Sequence, residues 1–185
     1  MNGIPFMNGR YIYLRALLEE DSRGPYVQWF NDAEACAGNS HHLFPYTVDA
    51  AKMYIGGANN AKTMLFLGII CRAGDRHIGN ITLDRINSIN RTADLAIFIG
   101  DKSCWGKGYG KEAGRLICDH GFLALNLNRI SCGTFENNIG MRRLAEYLGM
   151  IQEGQRRQAV YKEGCYLDVI EYGVLRDEYV RRFFP

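Results

Sequence analysis

The residues best suited to chemistry lie between Asp101 and Glu112, in the run Asp-Lys-Ser-Cys-Trp-Gly-Lys-Gly-Tyr-Gly-Lys-Glu. Gly106, Gly108 and Gly110 remove every other Cβ, so the backbone can curl and aim successive N–H groups at one anion. A helix starting there adds its positive dipole end, and Lys107 and Lys111 add charge. The run therefore reads as a phosphate cradle, although glycine-rich turns also serve plain chain reversal. A second constellation is acidic. Asp84 and Asp94 fall on matching parities of two adjacent strand candidates. If 87–91 forms a five-residue loop and Ile86 pairs with Thr92, the two carboxylates stand directly opposite each other. One of them is then expected to hold its proton toward the range useful for a base. The plainer alternative is a solvated face in a different register.

Elements that can position these groups flank them on both sides. Residues 93–99 (ADLAIFI) alternate as a half-buried strand with Leu95, Ile97 and Ile99 on one face. After the glycines, Ala113, Leu116, Ile117, Gly121 and Ala124 keep helical spacing. Strand, cradle, helix is an order shared by several nucleotide-binding designs. A P-loop is excluded, because position 105 is Trp and position 112 is Glu. A dinucleotide fold stays open: Gly108-Tyr-Gly110-Lys-Glu-Ala113 fits G-x-G-x-x-G/A, and Glu136 ends the next strand where a ribose-binding acid belongs. Its repeated strand–helix alternation is missing from the flanks, so an NAD-binding oxidoreductase is the weaker reading.

Before the cradle, 10–16 predicts a first strand, and Gly24-Pro25 opens a short helix striped by Tyr26, Trp29 and Phe30. An irregular loop over 36–46 follows, then a helix capped by Thr47 with Ala51, Tyr54, Ile55 and Ala58 inward. Strands over 64–72 and 77–86 form a hairpin about Ala73-Gly74-Asp75-Arg76. After the cradle helix, 129–135 predicts a strand parallel to 93–99, because a helical crossover separates them. Asn137 or Asn138 then caps a helix ended by Gly149, and strands near 151–161 and 166–175 close the chain as a hairpin.

Dispersed agreement along most of the chain resembles the GNAT N-acetyltransferase superfamily. It rests on Trp105 to Ala113 (WGKGYGKEA), Phe122 to Ile130 (FLALNLNRI), Glu136-Asn137-Asn138-Ile139-Gly140 and Leu148-Gly149-Met150. Trp29-Phe30-Asn31-Asp32 and Asp168 to Leu175 (DVIEYGVL) add to it. The pattern is similar to the RimJ/RimL-like group, with Gly110, Gly140 and Met150 in place of the usual Ala, Ser and Phe. The resemblance implies a single domain over 1–185, with a mixed α/β, largely antiparallel sheet of six or seven strands and helices on both faces. It implies acetyl-CoA as co-substrate, with the pyrophosphate on Trp105, Gly106, Lys107, Gly108, Tyr109, Gly110 and Lys111. The pantetheine arm is placed along Ile97, Phe98 and Ile99, with a further contact from Asn137. It also implies direct transfer to a primary amine, a small molecule or a protein N-terminus.

Asp94 and Asp84 are the base candidates, with His41, His42 and Glu136 next. The two histidines lie in what the resemblance makes an acceptor lid; the plainer reading is an exposed loop pair. Cys104 neighbours the cradle, but direct transfer needs no thiol. A non-catalytic CoA-binding module is the remaining alternative.

Bulk properties narrow the field further. Twenty-two basic against 20 acidic side chains leave +2, a balance that points away from nucleic acid and anionic membranes. The most apolar run, 64–71, is too short to span a bilayer, so a cytoplasmic protein, monomer or homodimer, is expected. Six scattered cysteines without C-x-x-C are expected to be reduced, and no metal motif is present.

Overall fold

A computed structural model describes residues 3–185. The elements in order are β1 (Met7–Asn8), β2 (Ile12–Ala16), a 3₁₀ turn (Glu19–Arg23), α1 (Pro25–Phe30), α2 (Val48–Asn60), β3 (Leu65–Cys71), β4 (Arg76–Asn87) and β5 (Thr92–Ile99). A second 3₁₀ turn (Lys102–Cys104) leads to α3 (Tyr109–Leu123), β6 (Arg129–Phe135), α4 (Ile139–Tyr147), β7 (Ile151–Lys162), β8 (Cys165–Leu175) and α5 (Arg176–Phe183).

The strands form one sheet in the order β1-β2-β3-β4-β5-β6-β8-β7, in which β5 and β6 run parallel and the other neighbours antiparallel. This mixed, largely antiparallel sheet is not doubly wound, which removes the dinucleotide reading. Eight strands exceed the six or seven expected because the two-residue β1 pairs onto β2. The helix α5 is likewise additional. Its one fully buried residue, Tyr179, sits among charges that mask the helical period.

Helices cover both faces. Against one face, α3 buries Ala113, Ile117, Cys118 and Phe122, and α4 buries Met141, Leu144 and Ala145, together with Leu83, Leu95, Ile130 and Cys132 of the sheet. Burying that many aliphatic side chains, at roughly 1.5–3 kcal/mol each, makes this layer the main source of stability. On the other face, α1 and α2 pack Tyr26, Trp29, Phe30, Ala51 and Ile55 onto Leu17 and Phe66. Under this second layer lies a polar knot: Arg15 holds Asp21 through paired bonds of 2.6 and 2.8 Å, and His77 approaches Asp21 at 3.7 Å. The α1–α2 layer covers only part of its face, and the residues of interest lie where it stops.

All six cysteines are free, five of them buried. Among the described residues no helix is long and apolar enough to cross a membrane.

Candidate active site

Strands β5 and β6 pair over three positions only, Thr92 with Arg129, Ala93 with Ile130 and Asp94 with Ser131. Beyond that vertex β5 stays with β4 and β6 with β8, so an opening widens between 95–99 and 132–135. The residues expected to line it are Ile97, Phe98 and Ile99. Ile97 and Ile99 pack toward the α3 layer, and Phe98 turns the other way to meet Phe30, with ring centroids 5.0 Å apart. The Ile99 carbonyl accepts a 2.8 Å bond from Trp105 Nε1, which pins the glycine turn to the end of β5.

The turn has the character of a cradle. Gly106 and Gly108 adopt φ of +72° and +84°, a region that L side chains enter only at a cost, and a Cβ on either would meet nothing within 4 Å. Gly108 is the N-cap of α3 and offers no side chain to satisfy the first-turn N–H groups. Those orphan donors therefore remain for an anion, at the positive end of a 15-residue helix. Lys107 is exposed beside them, whereas Lys111 lies over the Tyr147 ring at 5.2 Å. Gly110 has ordinary room for a Cβ, so the alanine common at this position would fit. Glu112 fastens the first turn to the main-chain N–H groups of Arg10 and Tyr11. Tyr109 is drawn to Cys71, which pushes its hydroxyl pKa up. Asn138, not Asn137, caps α4, accepting from Met141 N at 3.0 Å; Asn137 is exposed one residue earlier.

At the vertex, Asp84 pairs directly with Asp94 across β4 and β5. The loop geometry differs from expectation. Asn87, not Ile86, meets Thr92, and an irregularity at 85–86 turns Arg85 to φ +50°. That turn carries the Arg85 guanidinium to Asp94 Oδ2 at 2.5 Å, while Ser131 Oγ donates to Asp94 Oδ1 at 2.6 Å. Asp94 therefore faces the Asp84 carboxylate across the strands and also a counter-charge from the residue next to Asp84.

A carboxylate not singled out from the sequence lies on the same face. Glu171 of β8 pairs with Gly133 of β6, two residues beyond the vertex, and a Cβ at Gly133 would stand 3.0 Å from Glu171 Oε2. Its other oxygen accepts from Arg156 Nε at 2.7 Å. The available signal was a lone charge in the run Val169 to Leu175 (VIEYGVL).

The loop from Asp32 to Tyr46 crosses the opening. Phe30 and Tyr46 fix it to the β5 side through ring contacts at 4.8 and 5.0 Å. On the opposite side, Lys162 Nζ donates to the carbonyls of Cys36, Asn39 and His41 at 2.8, 2.7 and 3.2 Å, and Asn138 Nδ2 donates to Gly38 O at 3.0 Å. Lys102, just ahead of the cradle, pairs with Asp32 and Glu34 at 2.8 and 2.7 Å. The His41 ring sits edge-on to Phe30 at 4.6 Å, and burial of the ring, aided by the Lys162 charge, holds its pKa below the usual value. His41, His42, Phe44 and Tyr46 help to line a hollow of about 240 Å³ in this loop. Of the remaining candidates, Glu136 is used structurally, its Oε1 accepting from Asp168 N at 2.9 Å. Burial pushes the Cys104 thiol up, which suits packing better than nucleophilic attack.

The family profile of the acetyltransferase (GNAT) domain matches residues 12–151. The chain belongs to the GNAT acetyltransferase family. Within it, the chain is 32% identical over 111 residues to the uncharacterized N-acetyltransferase p20 of Bacillus licheniformis, covering 60% of this chain and 62% of the relative. It is 30% identical over 105 residues to spermidine N(1)-acetyltransferase of Vibrio cholerae, covering 57% and 60%. These GNAT relatives are therefore matched over about six tenths of their own lengths. The solved structure of the Vibrio cholerae spermidine N-acetyltransferase with CoA and spermine superposes with a TM-score of 0.82 at 23% identity, covering 92% of this chain and 98% of that one. At that identity the likeness speaks for the fold.

Proposed function

We propose that this GNAT protein is an enzyme of the RimJ/RimL-like kind that transfers the acetyl group of acetyl-CoA directly to a primary amine. The observation that carries the reading is the parting of β5 and β6 after Asp94 and Ser131, with an uncapped glycine turn at the far end of β5. The opening has an unpaired main-chain edge on one side and anion-seeking N–H groups at its end. Trp105, Gly106, Lys107, Gly108, Tyr109, Gly110 and Lys111 would hold the pyrophosphate, and the edge at Ile97 to Ile99, with Asn137 opposite, would take the pantetheine arm. When bound, acetyl-CoA supplies an activated acyl group with a thiolate leaving group.

The amine is proposed to enter from the α1 face, because the opposite face is filled by α3 and α4. There the loop over 36–46 excludes water, and Asp84 and Asp94 supply negative charge at the vertex that draws an ammonium inward. A polyamine such as that of the Vibrio cholerae relative, another small amine or a protein N-terminus fits this entrance.

Release of free thiol from acetyl-CoA, followed across polyamines, amino sugars, amino acids and N-terminal peptides, tests the reading. Acceptor-dependent release is expected with one class. A protein that binds acetyl-CoA and releases thiol with none of them is a binding module.

A further inference from the structure

We propose, resting on the amine-acetylation reading above, that Glu171 is the group that takes the proton from the attacking amine nitrogen. Of the carboxylates on the open face, Asp94 has both oxygens engaged, Oδ1 by Ser131 and Oδ2 by Arg85. Asp84 lies back toward α2, where its charge reaches the Tyr54 hydroxyl, and it accepts from Arg85 N at 2.7 Å. Glu171 is placed differently. It reaches from β8 over Gly133, into space that any larger residue on β6 would fill, and so leans over the opening just past the last β5–β6 pair. Only Oε1 is tied, to Arg156; Oε2 makes no hydrogen bond among the described residues.

That asymmetry is what a proton acceptor requires. One oxygen is oriented by a guanidinium and the other has a free lone pair facing the cleft. The step balances without a further reagent. The lone pair of the neutral amine forms the C–N bond while the C–S bond breaks, and its electron pair leaves on sulfur as the thiolate. The surplus N–H proton passes to Glu171 Oε2 and from there to water. Gly133 is part of the same device, because a side chain there would displace the carboxylate.

The test uses the acceptor that supports turnover in the thiol-release panel. Glu171→Gln is expected to lower kcat/KM for the amine by about 10²- to 10⁴-fold while acetyl-CoA still raises Tm as in the unaltered protein. Glu171→Ala is expected to regain turnover as formate is added. Arg156→Met, which orients but does not accept, is expected to lose less than about tenfold. Near-normal turnover in Glu171→Gln overturns the proposal. So does an equal loss in Glu171→Gln and Arg156→Met with no formate rescue, the mark of a structural ion pair. Absence of turnover in the unaltered protein with every amine overturns the acetylation reading itself.

Discussion

Lys162 donates to the carbonyl oxygen of Asn39 at 2.7 Å, joining the end of β7 to a loop more than a hundred residues earlier in the chain. With the bonds to Cys36 and His41, this one ammonium donates to three carbonyls of the segment that crosses the opening, and among the described residues it pairs with no carboxylate. Lys162→Met removes this donor from all three and leaves Cys36 O with only the Asn39 N–H at 3.2 Å. Hydrogen bonds to a charged group are each worth about 1.5–3 kcal/mol, so the loop is expected to detach well before the rest of the protein unfolds. Hydrogen exchange should accelerate at 36–42, and KM for the amine should rise by about tenfold or more with acetyl-CoA affinity within about twofold. Unchanged exchange in that segment would show that Phe30 and Asn138 suffice to hold it.

Gly108 carries the second prediction. Its φ of +84° disfavours any other residue, but the space around a Cβ there is empty. Gly108→Ala is therefore expected to cost only the strain of the left-handed conformation, about 1–2 kcal/mol, and to keep much of its ligand affinity. Gly108→Asp adds a negative charge against the first-turn N–H groups and Lys107. Acetyl-CoA at a hundredfold over its Kd should stabilise the unaltered protein by about 2.7 kcal/mol, and this gain should vanish in Gly108→Asp while persisting in Gly108→Ala. A retained thermal shift in the Asp variant would move the phosphate site elsewhere.

How much of this was legible depends on whether the signal is local. The strand at 129–135 and its parallel partner follow from alternation and a helical crossover, and they stand where the spacing places them. Thr47 and Gly149 mark helix ends by cap chemistry that needs no tertiary context. The opposition of Asp84 and Asp94 was expected from Ile86 meeting Thr92; Asn87 meets Thr92 instead, a slip that would reverse the parity, and the irregularity between Asp84 and Asn87 restores the pairing. The ion pair that changes its meaning was not, since nothing in Arg85 announces a positive φ. Glu171, Lys162 and the choice of Asn138 over Asn137 depend on contacts across the sheet or the loop, which a linear reading does not contain.

Stability at mild acid pH supplies a third prediction, from the knot under α1. Burial holds the His77 imidazole well below its ordinary pKa, only partly offset by Asp21 and by the contacts of Nε2 with Gly79 O and Asn80 Oδ1, both at 2.9 Å. Both partners are acceptors, so Nε2 carries the proton and the ring is neutral at pH 7. In the unfolded chain His77 titrates near 6.5, so below that pH the unfolded state binds a proton that the folded state refuses. The stabilisation is fully present above about pH 6.5 and is lost as pH falls toward the folded-state value. Burial would raise the Asp21 carboxyl, but Arg15 and the Leu18 N–H outweigh it and hold its pKa down, so its contribution is lost only at still lower pH. Unfolding free energy should fall between pH 6.5 and 5, and His77→Gln should remove up to about 1.4 kcal/mol per pH unit of that slope. His41 and His120, also held down by burial, leave a residual slope in the variant. An unaltered slope in His77→Gln would mean that the knot opens before the imidazole is protonated.

The fourth prediction concerns the departing thiolate. GNAT-like sequences commonly place a tyrosine five residues before the residue after Leu-Gly, or a serine at the start of the preceding helix, where each can act as an acid; here those positions are Ala145 and Gly140. Ala145 lies on the buried side of α4, fully covered, so its position faces the core. Neighbouring tyrosines do not replace the acid. Tyr147 packs on Phe183 with centroids 5.9 Å apart and lies under Lys111, and Tyr109 is engaged with Cys71. A thiol with an ordinary pKa of about 8.5 leaves tolerably as thiolate, so main-chain N–H groups or water suffice. The log of kcat/KM for the amine should then climb with pH as the amine loses its proton and level off, without the descending limb that a required tyrosine acid imposes. Activity after pre-incubation at each pH separates enzyme loss from a true limb. Tyr109→Phe and Tyr147→Phe should each keep the plateau. A bell-shaped profile in stable enzyme, with its upper limb abolished by either change, would place the acid on that tyrosine and require the cleft to rearrange around it when acetyl-CoA binds.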